Sequence, residues 1–236
     1  MNLVLDVSSA QDPVLCDYAR ARAESGVVGV IVRVEYGQTI DHRWLAHAER
    51  VAAAGLPLGC YVFALVDADP CDEVNSLVAA LGGSVPPLGV WLDVETSNNH
   101  SPSDVLNWCD RFCGELDAVG IDTGIYTGKY FWSSLGVASA DPKWAARKLW
   151  VANYGASSPA VPAPWGPWGS PSGPAMWQRW GNTIWQGPGG AQRWGALSPG
   201  PEWRKVASSY PIAGIAGEVD VNVLAGDDLA RLTAAA

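Results

Sequence analysis

Gly89-Val90-Trp91-Leu92-Asp93-Val94-Glu95 is an apolar run that ends in two carboxylates two positions apart. A continuous apolar run of this length is what a strand covered on both faces produces, and strands of that kind belong to parallel sheets flanked by helices. Residues two apart on an extended chain face the same side. Asp93 and Glu95 should therefore leave the strand pointing together, their backbones roughly 6 to 7 Å apart. That spacing suits a pair that grips one sugar ring and its glycosidic oxygen, although two solvated acids at a strand end would carry the same letters. In a shared pocket, repulsion and partial burial push the two pKa values apart, leaving one group as a proton donor and the other charged.

Working outward, short apolar runs alternate with amphipathic stretches over about the first 155 residues. Leu3 to Val7, Val27 to Val34, Leu58 to Ala64, Leu88 to Val94 and Gly124 to Tyr126 read as strands. Between them Pro13 to Glu24, His42 to Ala54, Asp72 to Leu81 and Asp104 to Val119 read as helices, with a short helical segment at Lys129 to Ser134. Five consecutive β/α units predict an α/β barrel. Three further strands, Lys148 to Ala152, Asn182 to Gln186 and Val219 to Val223, follow largely without helices, and a C-terminal helix is expected from Asp227 onward. Nine of the thirteen tryptophans fall at or after Trp144. Many of them lie in a Pro/Gly/Trp-rich stretch at about 156–210, read as an insertion in a single domain spanning 1–236. Such indoles form either a platform for sugar rings or pins that hold long loops onto the barrel.

The chain of 236 residues is long enough for one large core. A formal net charge of -9 and the lack of any Lys/Arg cluster argue against nucleic acid or an anionic membrane as partner. No apolar run reaches the length needed to span a bilayer, and the N-terminus shows no signal peptide pattern. Cys16, Cys60, Cys71, Cys109 and Cys113 lack metal or redox spacing and read as small packing residues of a protein made in a reducing compartment. His42, His47 and His100 show no metal spacing and are expected at solvated positions.

Six pieces stand in order: Leu5-Asp6-Val7-Ser8 with Gln11; Gly59-Cys60-Tyr61-Val62-Phe63-Ala64; Leu92-Asp93-Val94-Glu95; Ile125-Tyr126-Thr127; Leu149 to Gly155; and Gly217-Glu218-Val219-Asp220-Val221-Asn222. Together they resemble the family 25 glycoside hydrolases, the lysozymes called N-acetylmuramidases, many of them bacteriophage endolysins. The resemblance implies an irregular TIM-like barrel of five β/α units followed by strands without helices. It also implies hydrolysis of the β-1,4 bond between N-acetylmuramic acid and N-acetylglucosamine in bacterial peptidoglycan, with no metal or organic cofactor.

Carried over residue by residue, the resemblance makes Glu95 the general acid and base, Asp93 its partner at the sugar, and Asp6 and Asp220 the rest of a ring of acids at strand C-terminal ends. Tyr61, Tyr126, Tyr154 and Trp150 would line the cleft. Arg33 stands where the family usually has a lysine, and a salt bridge to a neighbouring acid is its other reading. Ser9-Ala10 and Val62 depart from the family's usual His-Trp and His at substrate-contact positions. Trp177-Gln178 and Trp185-Gln186 compete for the family's late Trp-Gln strand, and Thr183-Ile184 favours the second as the better strand lead-in. A monomer is expected, made in a host cytoplasm and reaching the wall after release, for example through a holin. Two alternatives remain: a barrel that only binds cell-wall glycan, and a hydrolase of chitin-like N-acetylglucosamine polymers. A pure binder gains little from four mutually repelling carboxylates.

Overall fold

The computed structural model describes residues 2–225 apart from 155–156, 169, 171–172, 182, 195–199, 209 and 217–218. The chain opens with β1 (Leu3–Val7), a 3-10 turn at Pro13–Leu15, α1 (Tyr18–Ser25), β2 (Val27–Tyr36), β3 (Thr39–Ile40) and α2 (Trp44–Ala53). It continues through β4 (Leu58–Phe63), α3 (Pro70–Leu81), β5 (Val90–Asp93), α4 (Pro102–Ala118), β6 (Thr123–Gly128), α5 (Lys129–Ser134) and α6 (Pro142–Ala145). Strands dominate the remainder: β7 (Leu149–Ala152), β8 (Met176–Trp180), β9 (Thr183–Gln186), β10 (Gln192–Trp194), β11 (Arg204–Ser208) and β12 (Asp220–Leu224).

Eight strands close an irregular TIM-like barrel. β1, β2, β4, β5, β6, β7 and β8 run parallel, and β12 seals the ring antiparallel to both β8 and β1. β9, β10 and β11 form a separate three-stranded sheet.

Alternation along the strands divides the side chains between two cores. Leu3, Leu5 and Val7 face outward into a core shared with residues such as Phe112 and Leu116 of α4. Val4, Ile31, Trp91, Trp150 and Met176 face inward and plug the barrel. Trp91 and Trp150 are almost fully buried, and each such side chain stabilises the fold by roughly 2–3 kcal/mol. Room for Trp91 comes from Gly124 opposite it on β6: a Cβ at Gly124 would lie 2.4 Å from Trp91 Cε3. Beyond this plug one end of the barrel carries buried polar side chains, among them Asp6, Asp93, Gln178 and Asn222.

Local signals fix the helices. Ser101 and Asp104 make a reciprocal capping box at the start of α4, and Gly120, at φ +79°, lets the chain turn away after it. The first helix departs from expectation: it starts at Tyr18 rather than Pro13, because Asp12 caps the preceding 3-10 turn and Asp17 separately caps α1 by accepting from Arg20 N–H.

A larger correction concerns the late strands. The barrel strand is Met176–Trp180, carrying Trp177-Gln178, whereas Thr183–Gln186 is the middle strand of the side sheet. A barrel strand thus lies inside the stretch read as an insertion. Strand propensity favoured Thr183-Ile184, but propensity measures fit to a pleated surface, and the side sheet offers one too. The C-terminal helix expected from Asp227 lies outside the described residues.

His47 is not solvated. It is buried, with Nδ1 2.6 Å from the Tyr18 hydroxyl and Nε2 3.2 Å from the Gln11 carbonyl. A carbonyl only accepts, so Nε2 carries the proton and Nδ1 accepts from Tyr18. Several late tryptophans act as pins: Trp165 packs against Trp132, Trp168 against Trp177, and Trp165 Nε1–H donates to the Arg147 carbonyl. All five cysteines carry free thiols. No helix among the described residues is long and apolar enough to cross a membrane.

Candidate active site

The open end of the barrel holds a cavity of about 520 Å³. Asp6 is the penultimate residue of β1, Asp93 ends β5, and Glu95 follows two residues later. Beyond Asp93 the extended pairing persists, since Val94 N–H donates to the Tyr126 carbonyl and its own carbonyl accepts from the Thr127 hydroxyl. Val94 is buried outward in the helix-facing core, so Asp93 and Glu95 both face the cavity.

Asp220 reaches the same end by a different route. Rather than ending a parallel strand, it begins β12, and because β12 runs antiparallel its first residue pairs with Asp6. The four acids Asp6, Asp93, Glu95 and Asp220 therefore line one cavity. So do Arg33, Tyr61, Tyr126, Trp150 and Tyr154, which places all nine sequence-derived candidates around it.

Two amides organise the acids. Gln178, almost fully buried on β8, donates from Nε2 to Asp6 Oδ2 and to Asp220 Oδ2, both at 3.2 Å. Its Oε1 accepts from the Tyr126 and Tyr154 hydroxyls. Asn222 donates from Nδ2 to Asp6 Oδ2 at 2.8 Å and to the Val4 carbonyl, and accepts from Trp150 Nε1–H at 2.8 Å. Trp150 is thus held by protein at its polar edge, with Tyr126 and Tyr61 packed on the ring, and it serves as the cavity floor.

Burial pushes the Asp6 carboxyl up to about 6, against the opposing donors Asn222 and Gln178. Burial, and then the nearby charges of Glu95 and Asp6, hold Asp93 well above the usual aspartate range, with only Arg33 opposing. Asp220 is raised by burial and by Asp6 and Glu95. Glu95 sits exposed at the rim, yet the protein packed around its carboxyl raises it too. Asp93 Oδ1 and Asp220 Oδ1 are buried without a hydrogen-bond partner among the described residues, a costly state that a polar ligand would relieve.

Arg33 satisfies both of its readings. It lines the cavity, and its guanidinium sits 3.0 Å from Asp41 Oδ2 and 2.7 Å from the Ser9 hydroxyl. Burial works against Asp41's charge, but the Arg43 and Ser9 N–H groups and Arg33 together bring its carboxyl below the usual range.

The model of the glycosyl hydrolases family 25 matches residues 5–186. The chain belongs to this family. The autolytic lysozyme of Clostridium acetobutylicum is 27% identical over 160 residues, covering 67% of this chain and 47% of that protein. The match therefore spans about half the length of that curated relative. The bacterial lysozyme of Streptomyces coelicolor superposes with a TM-score of 0.72 at 21% identity, covering 99% of this chain and 95% of that one. The catalytic domain of the endolysin ply40 from bacteriophage P40 of Listeria monocytogenes gives a TM-score of 0.69 at 26% identity, over 99% and 97% of the two chains. A family GH25 lysozyme from Aspergillus fumigatus gives 0.69 at 19%, over 98% of each.

Gln178 and Asn222 belong to the site although the sequence does not mark them as site residues. Asn222 sat two positions after Asp220 on a recognised strand, so alternation alone places it on the inner face. Gln178 lies in the Trp-Gln pair that strand propensity alone does not favour. Among the described residues no group of three or more His, Cys, Asp or Glu is arranged to hold a metal ion.

Proposed function

We propose that this chain is an N-acetylmuramidase that hydrolyses the β-1,4 bond between N-acetylmuramic acid and N-acetylglucosamine in bacterial peptidoglycan. The observation that carries the reading is the placement of Asp93 and Glu95 in one aromatic-lined cavity with Asp6 and Asp220. Family membership supports glycoside hydrolysis, and the named relatives are lysozymes and an endolysin.

Glu95, raised by burial from its ordinary value, carries the proton that the glycosidic oxygen takes as its bond to the anomeric carbon breaks. The acetamide carbonyl oxygen of the muramyl sugar forms the new bond to that carbon. Asp93, with Oδ1 free of protein partners, accepts the acetamide N–H and aims the carbonyl. Glu95, now a carboxylate, takes a proton from water, whose oxygen attacks the anomeric carbon and releases the acetamide. Asp6, whose carboxylate form is favoured by two amide donors, stabilises the positive charge that builds on the ring.

Digestion of purified peptidoglycan and identification of the new reducing end tests the bond. Muramic acid supports this reading, glucosamine would redirect it to the neighbouring linkage, and no release would leave a glycan-binding barrel. Glu95→Gln should lose at least about a hundredfold in kcat. A muramyl substrate whose acetamide cannot act as a nucleophile should turn over far more slowly, and an unchanged rate would rule out the acetamide route.

A further inference from the structure

A second recess opens on the outer side of Glu95. It encloses about 460 Å³ between the start of α5 and the end of β7, and its lining includes Gly128, Lys129, Tyr130 and Asn153. Glu95 and Tyr154 belong to both hollows. The two hollows adjoin at the proton donor, so a glycan bound in the cavity has the recess beside its reacting sugar.

Lys129 sets the chemistry of this recess. It is half-buried in a chain whose formal net charge is -9. The other lysines and arginines with described side chains are engaged: Lys143 with Asp110, Lys148 with Asp122, Arg147 with Asp117, Arg111 with Asp69, and Arg179 over Trp177 and Trp180. Arg20 and Arg33 pair with Glu24 and Asp41, Arg22 and Arg50 with backbone carbonyls, Arg43 with Asp12, and Arg204 with Gln186. Among the described residues Lys129 has no ion pair or hydrogen bond. Beside it Tyr130 is 82% exposed, which leaves its ring free to pack on the apolar face of a ligand in the recess.

An unpaired ammonium and an open ring beside an acidic cleft select a ligand that is apolar in part and anionic at a point. N-acetylglucosamine carries no anion. Muramic acid does, through the lactyl ether on its ring, whose carboxyl is either free or extended into a stem peptide with carboxylates of its own. We propose that the recess receives this muramyl substituent, with Lys129 pairing with its carboxylate and Tyr130 covering its apolar part. The proposal rests on the muramidase reading and makes Lys129 a specificity-determining residue rather than a catalytic one.

Three soluble substrates decide it: peptidoglycan chains with intact stems, chains stripped of stems by an amidase so that only lactyl carboxylates remain, and intact chains whose carboxylates have been chemically amidated. Lys129→Met should lower kcat/KM by about tenfold or more on the intact chains, chiefly through KM, as expected for losing a charge-assisted bond. It should change little on the amidated ones. Loss on both intact and stripped chains means that Lys129 takes whichever carboxylate the substituent ends in, stem or freed lactyl, and loss confined to stem-bearing chains assigns the stem. Equal effects on charged and amidated chains, or no effect on either, would overturn the proposal while wild-type hydrolysis leaves the muramidase reading standing. A wild type that releases no reducing ends would sink both.

Discussion

Gln178 is the residue through which the site's charges are set relative to one another. Its amide satisfies four bonds at once, two donated to Asp6 and Asp220 and two accepted from Tyr126 and Tyr154. Reversing the amide would set its oxygen against two carboxylates, so the tyrosines fix which acids receive a donor. Gln178→Met keeps the volume and removes all four bonds. Asp6, raised by burial to about 6 and lowered from a still higher value by Asn222 and Gln178, should then ionise at higher pH. The proposed mechanism needs Asp6 charged, so the acidic limb of kcat/KM should move from near pH 6 toward neutrality while KM changes little. An unmoved limb with uniformly lower activity would mean that Gln178 only supports the fold. The acids themselves were legible in the sequence because Asp93-Val94-Glu95 couples a strand's period of two to an apolar run. Gln178 was not, because a neutral amide acquires its meaning only from partners on β1, β6 and β12.

Among the elements, the five β/α units could be read from their caps and apolar runs, since α4 begins at its capping box and stops before Gly120. β8 and β9 are not distinguished by sequence, because both are Trp-Gln strands and nothing local says which sheet each will join. A feature equally hidden in the sequence lies where β2 meets α3. The β2–β4 register shifts between Arg33 and Glu35, and Glu35 and Glu73 are both fully buried, Glu73 without a hydrogen-bond partner among the described residues. Burial pushes Glu35 up to about 7, though the nearby Ser76 hydroxyl opposes it, and pushes Glu73, with Glu35's charge adding, up to about 8. Both values lie above the unfolded value of 4.5, so the folded state holds protons that the unfolded chain releases. Their contribution is therefore fully present below about pH 4.5 and is lost as pH rises through about 7 to 8. With a loss on the order of 2 kcal/mol, Tm should fall by about 5 °C between pH 5 and 9. In Glu35→Gln/Glu73→Gln, thermal scans should show most of this difference removed, whereas a fall as steep as the wild type's would place its origin in the catalytic acids.

Across the whole molecule, closure decides where chemistry can occur. β12 returns antiparallel between β8 and β1, so residues from the two ends of the chain, Asp6 and Asp220, meet at the open mouth. The opposite end is shut by indole. Trp91 donates from Nε1 to the Leu88 carbonyl and packs edge-on against Trp150, whose face supports Tyr126 beneath the acids. Stability and site geometry therefore share one column of aromatic rings, and Gly124 is the gap that admits it. In Gly124→Ala the new methyl would overlap Trp91, and because that ring is buried on all sides it has to push Trp150 or bend β6. Overpacking of this kind should cost about 1–3 kcal/mol, lowering Tm by several degrees. Displacement passed up the column should also lower kcat, because Tyr126 fixes Gln178 and through it Asp6. Trp91→Leu in the same chain relieves the overlap and should restore part of both quantities together. Recovery of Tm without recovery of kcat would show instead that the floor of the barrel and its catalytic mouth are mechanically independent.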